Sequence, residues 1–258
     1  MKDLDIFIGT HKDFTKKVND ESYKVIVGNH KLSTVTDYID CKHNELLDDK
    51  FFSEIYMLSW IAKNVELKKY VGFCHYRRYF SFMDKIPNMD AIFSLYDVVM
   101  GKKLRFLNTI EKQYALCHNV DDLMIVRGII KDKYEDYLET FDNFMKSKTM
   151  YPYNMFIMKK EDFLEYMDFI KGVLDEYVSI VGTDIEKRIS ENKEKYLKNF
   201  YPSSTEEYQY RIGGYLAERL TNVFVLKKFN NILTYPIKKT ENVYPIESRL
   251  NKLRSNPL

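Results

Sequence analysis

Short apolar runs that close on glycine limit this chain to a sheet-based fold. Leu4 to Gly9 (LDIFIG) and Tyr23 to Gly28 (YKVIVG) are β-branched, short and separated by a polar segment, which predicts two buried, parallel strands. Phe51 to Asn64 (FFSEIYMLSWIAKN) instead carries apolar residues at 51, 52, 55, 58 and 61, the spacing of an amphipathic helix, and holds Trp60, the single tryptophan. Tyr70 to Cys74 (YVGFC) follows as a third strand. Strand, polar segment, strand, helix, strand is the order of an α/β sheet, whose ligands bind beyond the carboxyl ends of the strands. His75-Tyr76-Arg77-Arg78-Tyr79, directly after Cys74, therefore stands at the expected ligand edge.

The rest of the chain continues the pattern. Tyr96 to Met100 (YDVVM) is a fourth strand, followed by the basic turn Gly101-Lys102-Lys103-Leu104-Arg105. Thr109 to Leu116 and Val120 to Met145 read as helices, with His118-Asn119 as a break and cap. Asn154 to Met158 is a fifth strand, Glu161 to Val181 a helix and Glu206 to Lys228 the last strong helix, before a short strand at Ile232 to Tyr235. Asp184 to Lys198 is highly charged with few apolar anchors, and reads either as a solvated, lid-like arm or as a plain exposed helix. With no repeat or low-complexity linker, residues 1–235 are predicted to form one α/β domain with a helical excursion at about 184–198. Residues 236–258 are predicted as a basic tail, whose Lys238, Lys239, Arg249, Lys252 and Arg254 either touch anionic lipid or are solvated.

Composition excludes several functions. Forty basic residues against thirty-eight acidic ones leave a formal charge of +2, no general field for nucleic acid, so any anion site must be local. Three cysteines, Cys41, Cys74 and Cys117, share no close spacing, which suits a reducing cytosol and argues against a disulfide framework or structural zinc. No apolar run approaches a signal peptide or a membrane span, so the expectation is a cytoplasmic protein, at most peripheral on the membrane. Twenty-one tyrosines and seventeen phenylalanines suit either stacking ligands or simply an aromatic core.

The familiar nucleotide and hydrolase motifs are missing: the sequence has no phosphate loop, no G-x-G-x-x-G after a strand, no G-x-S-x-G and no H-E-x-x-H or C-x-x-C. The one D-x-D, Asp3-Leu4-Asp5, precedes Ile6-Phe7-Ile8 and so falls at the wrong end of the sheet for a metal-diphosphate site. In the HYRRY run, persistent extended backbone would send His75, Arg77 and Tyr79 to one side and Tyr76 with Arg78 to the other. The two guanidiniums either grip an anion bidentately or pair with carboxylates of neighbouring loops. Asn154, entering an apolar strand, either caps a turn or presents its amide to a ligand hydroxyl. Arg211, Tyr215, Glu218 and Asn222 recur at helical spacing beside Gly213-Gly214, a pair costly inside a helix, which implies close approach of a ligand or another backbone, or else a solvated stripe. His118 either satisfies the last carbonyls of its helix or serves as acid, base or hydrogen-bond donor.

Taken in order, YVGFCHYRRYF, YPYNMFIMKKEDFLEY and RIGGYLAERLTNVFV resemble a bacterial family of capsular, exopolysaccharide and O-antigen glycosyltransferases, long described only as a domain of unknown function. The helix FFSEIYMLSWIAKN resembles that family's acidic-aromatic-tryptophan segment, while the tract before it departs from the family's Ile-Ser-x-x-Asn wording. The resemblance implies a GT-A-like nucleotide-sugar sheet and transfer of galactofuranose or galactose from a UDP-sugar to a lipid-linked or oligosaccharide acceptor. Where typical GT-A enzymes carry D-x-D and a divalent ion, this sequence reads His75-Tyr76-Arg77. The expectation is therefore metal-independent transfer with no cofactor, the donor diphosphate being met by His75, Arg77, Arg78 and Lys102, with Lys103 beside it. From topology alone, Thr10 and His11 at the end of the first strand would meet the nucleotide, and Tyr153, Asn154, Arg211 and Tyr215 the sugar or acceptor. Glu218 would be the base, with His118 as a further catalytic candidate and Glu207 and Asp184 in reserve. Two rivals remain: a phosphoryl-transfer or nucleotide-hydrolysing enzyme, and a non-catalytic nucleotide- or glycan-binding partner in polysaccharide assembly.

Overall fold

The computed structural model describes residues 3–28, 30–41, 49–83, 85–199 and 202–241. Arg249, Lys252 and Arg254 of the expected tail, and residues 42–48 of the acidic tract before Phe51, lie outside the described residues. Strand β1 (Leu4–Thr10) is flanked on one side by β2 (Tyr23–Val27) and then β3 (Ile39–Asp40). Helices α1 (Asp49–Phe52) and α2 (Glu54–Asn64) lead to β4 (Tyr70–His75), which pairs in parallel with the other side of β1, and then to the short β5 (Arg78–Phe80). Helix α3 (Met89–Phe93) precedes β6 (Val98–Gly101), and β7 (Leu104–Arg105) forms a separate two-stranded ribbon with β8 (Thr149–Met150). Between the ribbon strands lie α4 (Ile110–Cys117), α5 (Val120–Lys133) and α6 (Leu138–Lys146).

Strand β9 (Phe156–Lys159) inserts antiparallel between β4 and β6, placing Phe156 opposite both Phe73 and Met100. After it come α7 (Lys160–Val181), α8 (Ile185–Glu191), α9 (Lys193–Tyr196), α10 (Glu206–Gln209) and α11 (Ile212–Lys228). The chain then adds β10 (Ile232–Tyr235), parallel to β6, and β11 (Ile237–Lys239), antiparallel to β5. The resulting sheet has the order β10-β6-β9-β4-β1-β2-β3. It is mixed and mostly parallel, an α/β sheet of the kind that the strand order in sequence implied, with β9 as an antiparallel insertion.

Alternation along β1 divides the core. Phe7, Val71, Phe73, Phe156 and Met158 face a layer built by α2, α4, α5, α6, α7 and α11. Ile6, Ile8, Tyr70, Cys74 and Ile157 face the opposite layer, covered by α3, β5 and loops carrying Phe14, Val18 and Met83. The side chains of a strand point to alternate faces, so each inner strand serves two cores at once.

Five sequence expectations are corrected. The helix expected from Phe51 breaks at Ser53, whose φ of 51° no helix accommodates. The long helix Val120 to Met145 is two helices joined by the one-turn 3-10 segment Glu135–Tyr137, and the last helix is interrupted before Ile212. The charged segment Asp184 to Lys198 is no solvated arm: Ile185, Ile189 and Tyr196 are buried. The fully buried Asp122 anchors it, its Oδ1 accepting from Tyr177 Oη at 2.6 Å, Tyr196 Oη at 3.1 Å and Arg188 Nη2 at 3.2 Å. Finally, Ile237–Lys239, expected in the tail, is a strand of the sheet. No helix among the described residues is long and apolar enough to cross a membrane.

Candidate functional site

The carboxyl ends of β1, β4, β6 and β10 lie along one edge of the sheet, and the entry to antiparallel β9 joins them. Here the extended backbone expected for HYRRY does not persist. Tyr76 and Arg77 form a tight turn, and His75 and Arg78 face each other as antiparallel partners. The turn is pinned because Tyr76 N donates to Gly9 O at 3.2 Å and Tyr79 Oη donates to Tyr76 O at 3.1 Å. Both guanidiniums consequently approach the same edge. Arg77 lies 5.2 Å from the Tyr76 ring and Arg78 lies 4.2 Å from the Tyr153 ring, but the buried Nε of each has no hydrogen-bond partner. Among the described residues neither arginine pairs with a carboxylate, so the ion-pair alternative left open by the sequence has no support here.

Thr10 ends β1 buried, and its hydroxyl donates to Lys12 O at 2.7 Å while accepting from Lys12 N, which shapes the loop that presents His11. The His11 ring meets Tyr76 edge-on at 5.6 Å, and Lys12 Nζ lies 5.4 Å from the same ring. Local desolvation, followed by the charges of Arg211, Arg77 and Lys12 and by His75, pushes the His11 pKa down to about 4. His75 is also shifted down, first by burial, against an opposing pull from Glu54 and with Arg78 and Arg211 adding to the decrease. Its Nε2 lies 2.6 Å from Tyr153 O, which ties β4 to the loop before β9.

That loop is strained. Tyr153 (φ 71°), Asn154 (φ 50°) and Ser53 (φ 51°) are the non-glycine residues of positive φ among the described residues, and all three lie in this region. Left-handed backbone costs roughly 1–3 kcal/mol per residue and persists where surrounding bonds impose it. Glu218 Oε1 accepts from Tyr153 N at 2.7 Å, while the buried Asn154 donates from Nδ2 to Glu54 Oε1 at 2.9 Å and accepts from Thr221 Oγ1 at 2.7 Å. Asn154 thus works on protein partners, with its amide oxygen and one amide hydrogen already engaged. Glu218 Oε2 accepts from Arg219 Nη1 at 3.0 Å, so both carboxylate oxygens are occupied.

Helix α11 supplies the remaining candidates. Arg211 Nε donates to Ser53 Oγ at 3.1 Å, and Tyr215 Oη donates to Tyr208 O at 2.9 Å. Gly213 and Gly214 let another backbone approach: a Cβ on Gly213 would stand 2.8 Å from Phe51 O, and one on Gly214 would stand 2.9 Å from Ser53 Cβ. His118 is buried among Tyr114, Tyr208 and Tyr215, with Nδ1 3.1 Å from Gln209 Oε1, and burial, assisted by Arg219, pushes its pKa down to about 3. Lys102 is exposed, and its described contact is the backbone bond from its N to Tyr235 O; Lys103 lies 4.7 Å from the Tyr151 ring. Asp184 caps α8 by accepting from Lys187 N, and Glu207 is exposed on α10. Asp5 faces Lys68 at 3.1 Å at the opposite end of β1, where the sequence had set the D-x-D aside.

Sequence reasoning missed Glu54 and Lys12. Glu54 was within sight, inside the FFSEIYMLSW segment, but its contact with Asn154 joins residues one hundred positions apart. No cluster of three or more His, Cys, Asp or Glu side chains suited to a metal occurs among the described residues.

Residues 5–230 match the family described as Domain of unknown function (DUF4422). The chain belongs to DUF4422. The DUF4422 span takes in His75, Arg77, Arg78, Asn154, Arg211 and Glu218, and it ends before β10 and β11. No curated protein matches the chain. Among solved structures, the DUF4422 fold is similar to the apo structure of the WbbM bifunctional glycosyltransferase, with a TM-score of 0.67 and 20% sequence identity over 94% of this chain and 47% of that one. The chain therefore spans less than half of that protein. The likeness is one of fold, and it agrees with the α/β architecture expected from sequence.

Proposed function

We propose that the chain is a glycosyltransferase that moves a hexose, galactofuranose or galactose, from a UDP-sugar to a growing capsular, exopolysaccharide or O-antigen glycan. The observation that carries this reading is the pair of part-buried guanidiniums, Arg77 and Arg78, gathered without carboxylate partners at the ligand edge of the sheet. A buried donor left unpaired costs roughly 1–3 kcal/mol, which a bound diphosphate would recover. As the sugar–phosphate bond breaks, negative charge grows on the departing diphosphate, and fixed cations there lower the barrier without a metal ion. His75 pairs with Arg78 across the hairpin, and the His11–Tyr76 ring pair offers a surface for the uracil. The likeness to the WbbM fold supports the assignment.

A base must reach the acceptor hydroxyl if transfer inverts configuration. Glu218, the residue expected from sequence, has both oxygens committed to Tyr153 and Arg219. Glu54 has Oε1 on Asn154 and, among the described residues, no partner for Oε2, so we assign the base to Glu54 and the bracing of the Tyr153–Asn154 turn to Glu218.

Calorimetric titration with UDP in EDTA tests the donor site. Wild type should bind, and Arg77→Ala and Arg78→Ala should each lose roughly 1.5–3 kcal/mol, the range for hydrogen bonds to charged groups. Binding abolished by the chelator would remove the metal-independent reading. A screen of UDP-sugars for hydrolysis or transfer then identifies the sugar, and inactivity with every UDP-hexose would refute the assignment.

A further inference from the structure

Strand β11 lies beyond the family match and has no part in the function proposed above, yet it runs along the site. It pairs antiparallel with β5, in a register that sets Lys239 opposite Arg78 and Lys238 opposite Tyr79. Ser81 N donates to Pro236 O at 2.8 Å and Thr240 N donates to Arg77 O at 3.1 Å, so the strand is fastened at both ends to the hairpin that carries the arginines. Ile237 fills the space that Gly101 leaves open at the end of β6, where a Cβ would come within 2.5 Å of Ile237 Cδ1. Lys239 Nζ lies 5.8 Å from the centre of the Tyr153 ring that Arg78 also covers.

Here the fold brings Lys239 and Arg78 together over one aromatic ring, beside Arg77, and the buried Nε of each arginine has no hydrogen-bond partner. An oxygen-rich dianion at this point would accept charge-assisted hydrogen bonds from all three side chains. We propose that Lys239 is a further phosphate-binding residue of the donor site, delivered by β11 and acting on the same diphosphate as Arg77 and Arg78; this rests on the donor-site reading above. Lys238, one residue earlier, points to the other face of the strand by alternation and takes no part.

The test titrates wild type, Lys239→Ala, Lys239→Arg and Lys238→Ala with inorganic pyrophosphate, UDP and uridine in EDTA, and measures each variant's unfolding midpoint. Lys239→Ala should bind pyrophosphate and UDP roughly ten- to a hundredfold more weakly. Its uridine affinity and unfolding midpoint should match wild type, Lys239→Arg should recover most of the loss, and Lys238→Ala should bind as wild type does. Equal pyrophosphate affinity in wild type and Lys239→Ala overturns the inference. So does a parallel loss of uridine, which would mark a structural role, or an equal loss in Lys238→Ala, which would mark general surface charge. Wild type that binds no pyrophosphate also overturns it. Wild type that refuses UDP but binds pyrophosphate through Lys239 would overturn the UDP-sugar reading and leave the lysine as a phosphate ligand.

Discussion

His118 and the two glutamates show how differently neighbouring titratable residues are used. His118 is enclosed by three tyrosines and is held neutral, with a pKa near 3 in the folded chain against 6.5 when unfolded. Below pH 6.5 the unfolded chain takes up a proton that the folded chain refuses. Its stabilising effect is therefore complete above pH 6.5 and lost as pH falls toward 3, at up to about 1.4 kcal/mol per pH unit. Urea unfolding of His118→Phe between pH 7 and 4 should show a shallower loss than wild type; identical slopes would mean the imidazole is not shielded. Glu54 and Glu218 divide differently. Glu54→Gln should keep UDP affinity and abolish turnover, while Glu218→Gln should loosen the Tyr153 turn and lower both. Full turnover by Glu54→Gln in a transfer assay would return the base to Glu218.

Among the elements, the junction of α1, α2 and α11 is where close backbone packing builds the site. Gly213 and Gly214 admit the chain at Phe51 and Ser53, and Ser53 in turn receives Arg211. Alanine at 213 gains roughly 1 kcal/mol of helix propensity but places a methyl 2.8 Å from Phe51 O, and overpacking of this kind costs about 1–3 kcal/mol. Gly213→Ala should therefore be the less stable protein. Gly128→Ala in α5, where nothing lies within 4 Å of the new Cβ, should gain about 1 kcal/mol. Chemical denaturation of the pair checks both signs. The paired glycines were legible as a sign of close approach, whereas the breaks at Ser53 and before Ile212 were not, because the apolar spacing runs straight through them. The HYRRY turn was missed for a similar reason: nothing in the run signals reversal, and what imposes it is Tyr76 N bonding to Gly9 O on the neighbouring strand.

For the molecule as a whole, a ligand that binds only the folded chain must stabilise it. UDP at about a hundred times its dissociation constant contributes about 2.7 kcal/mol, which for a chain of this size corresponds to a melting shift of roughly 5 °C. A thermal-shift assay should find that shift in wild type and lose it in the Arg77→Ala/Arg78→Ala double variant; no shift in wild type at saturating UDP would count against the donor site. The sequence by itself determined the strands β1, β2, β4, β6, β9 and β10, the helical layer and the sheet edge that carries the HYRRY run, because alternation and helical spacing are written among near neighbours. Only the tertiary structure decided that Glu54 meets Asn154, that Glu218 braces Tyr153 and that the final IKK strand lies beside Arg78. Those contacts join residues 65 or 100 positions apart or hang on a three-residue strand too short for any period, and each exists only once the two cores have packed against the sheet.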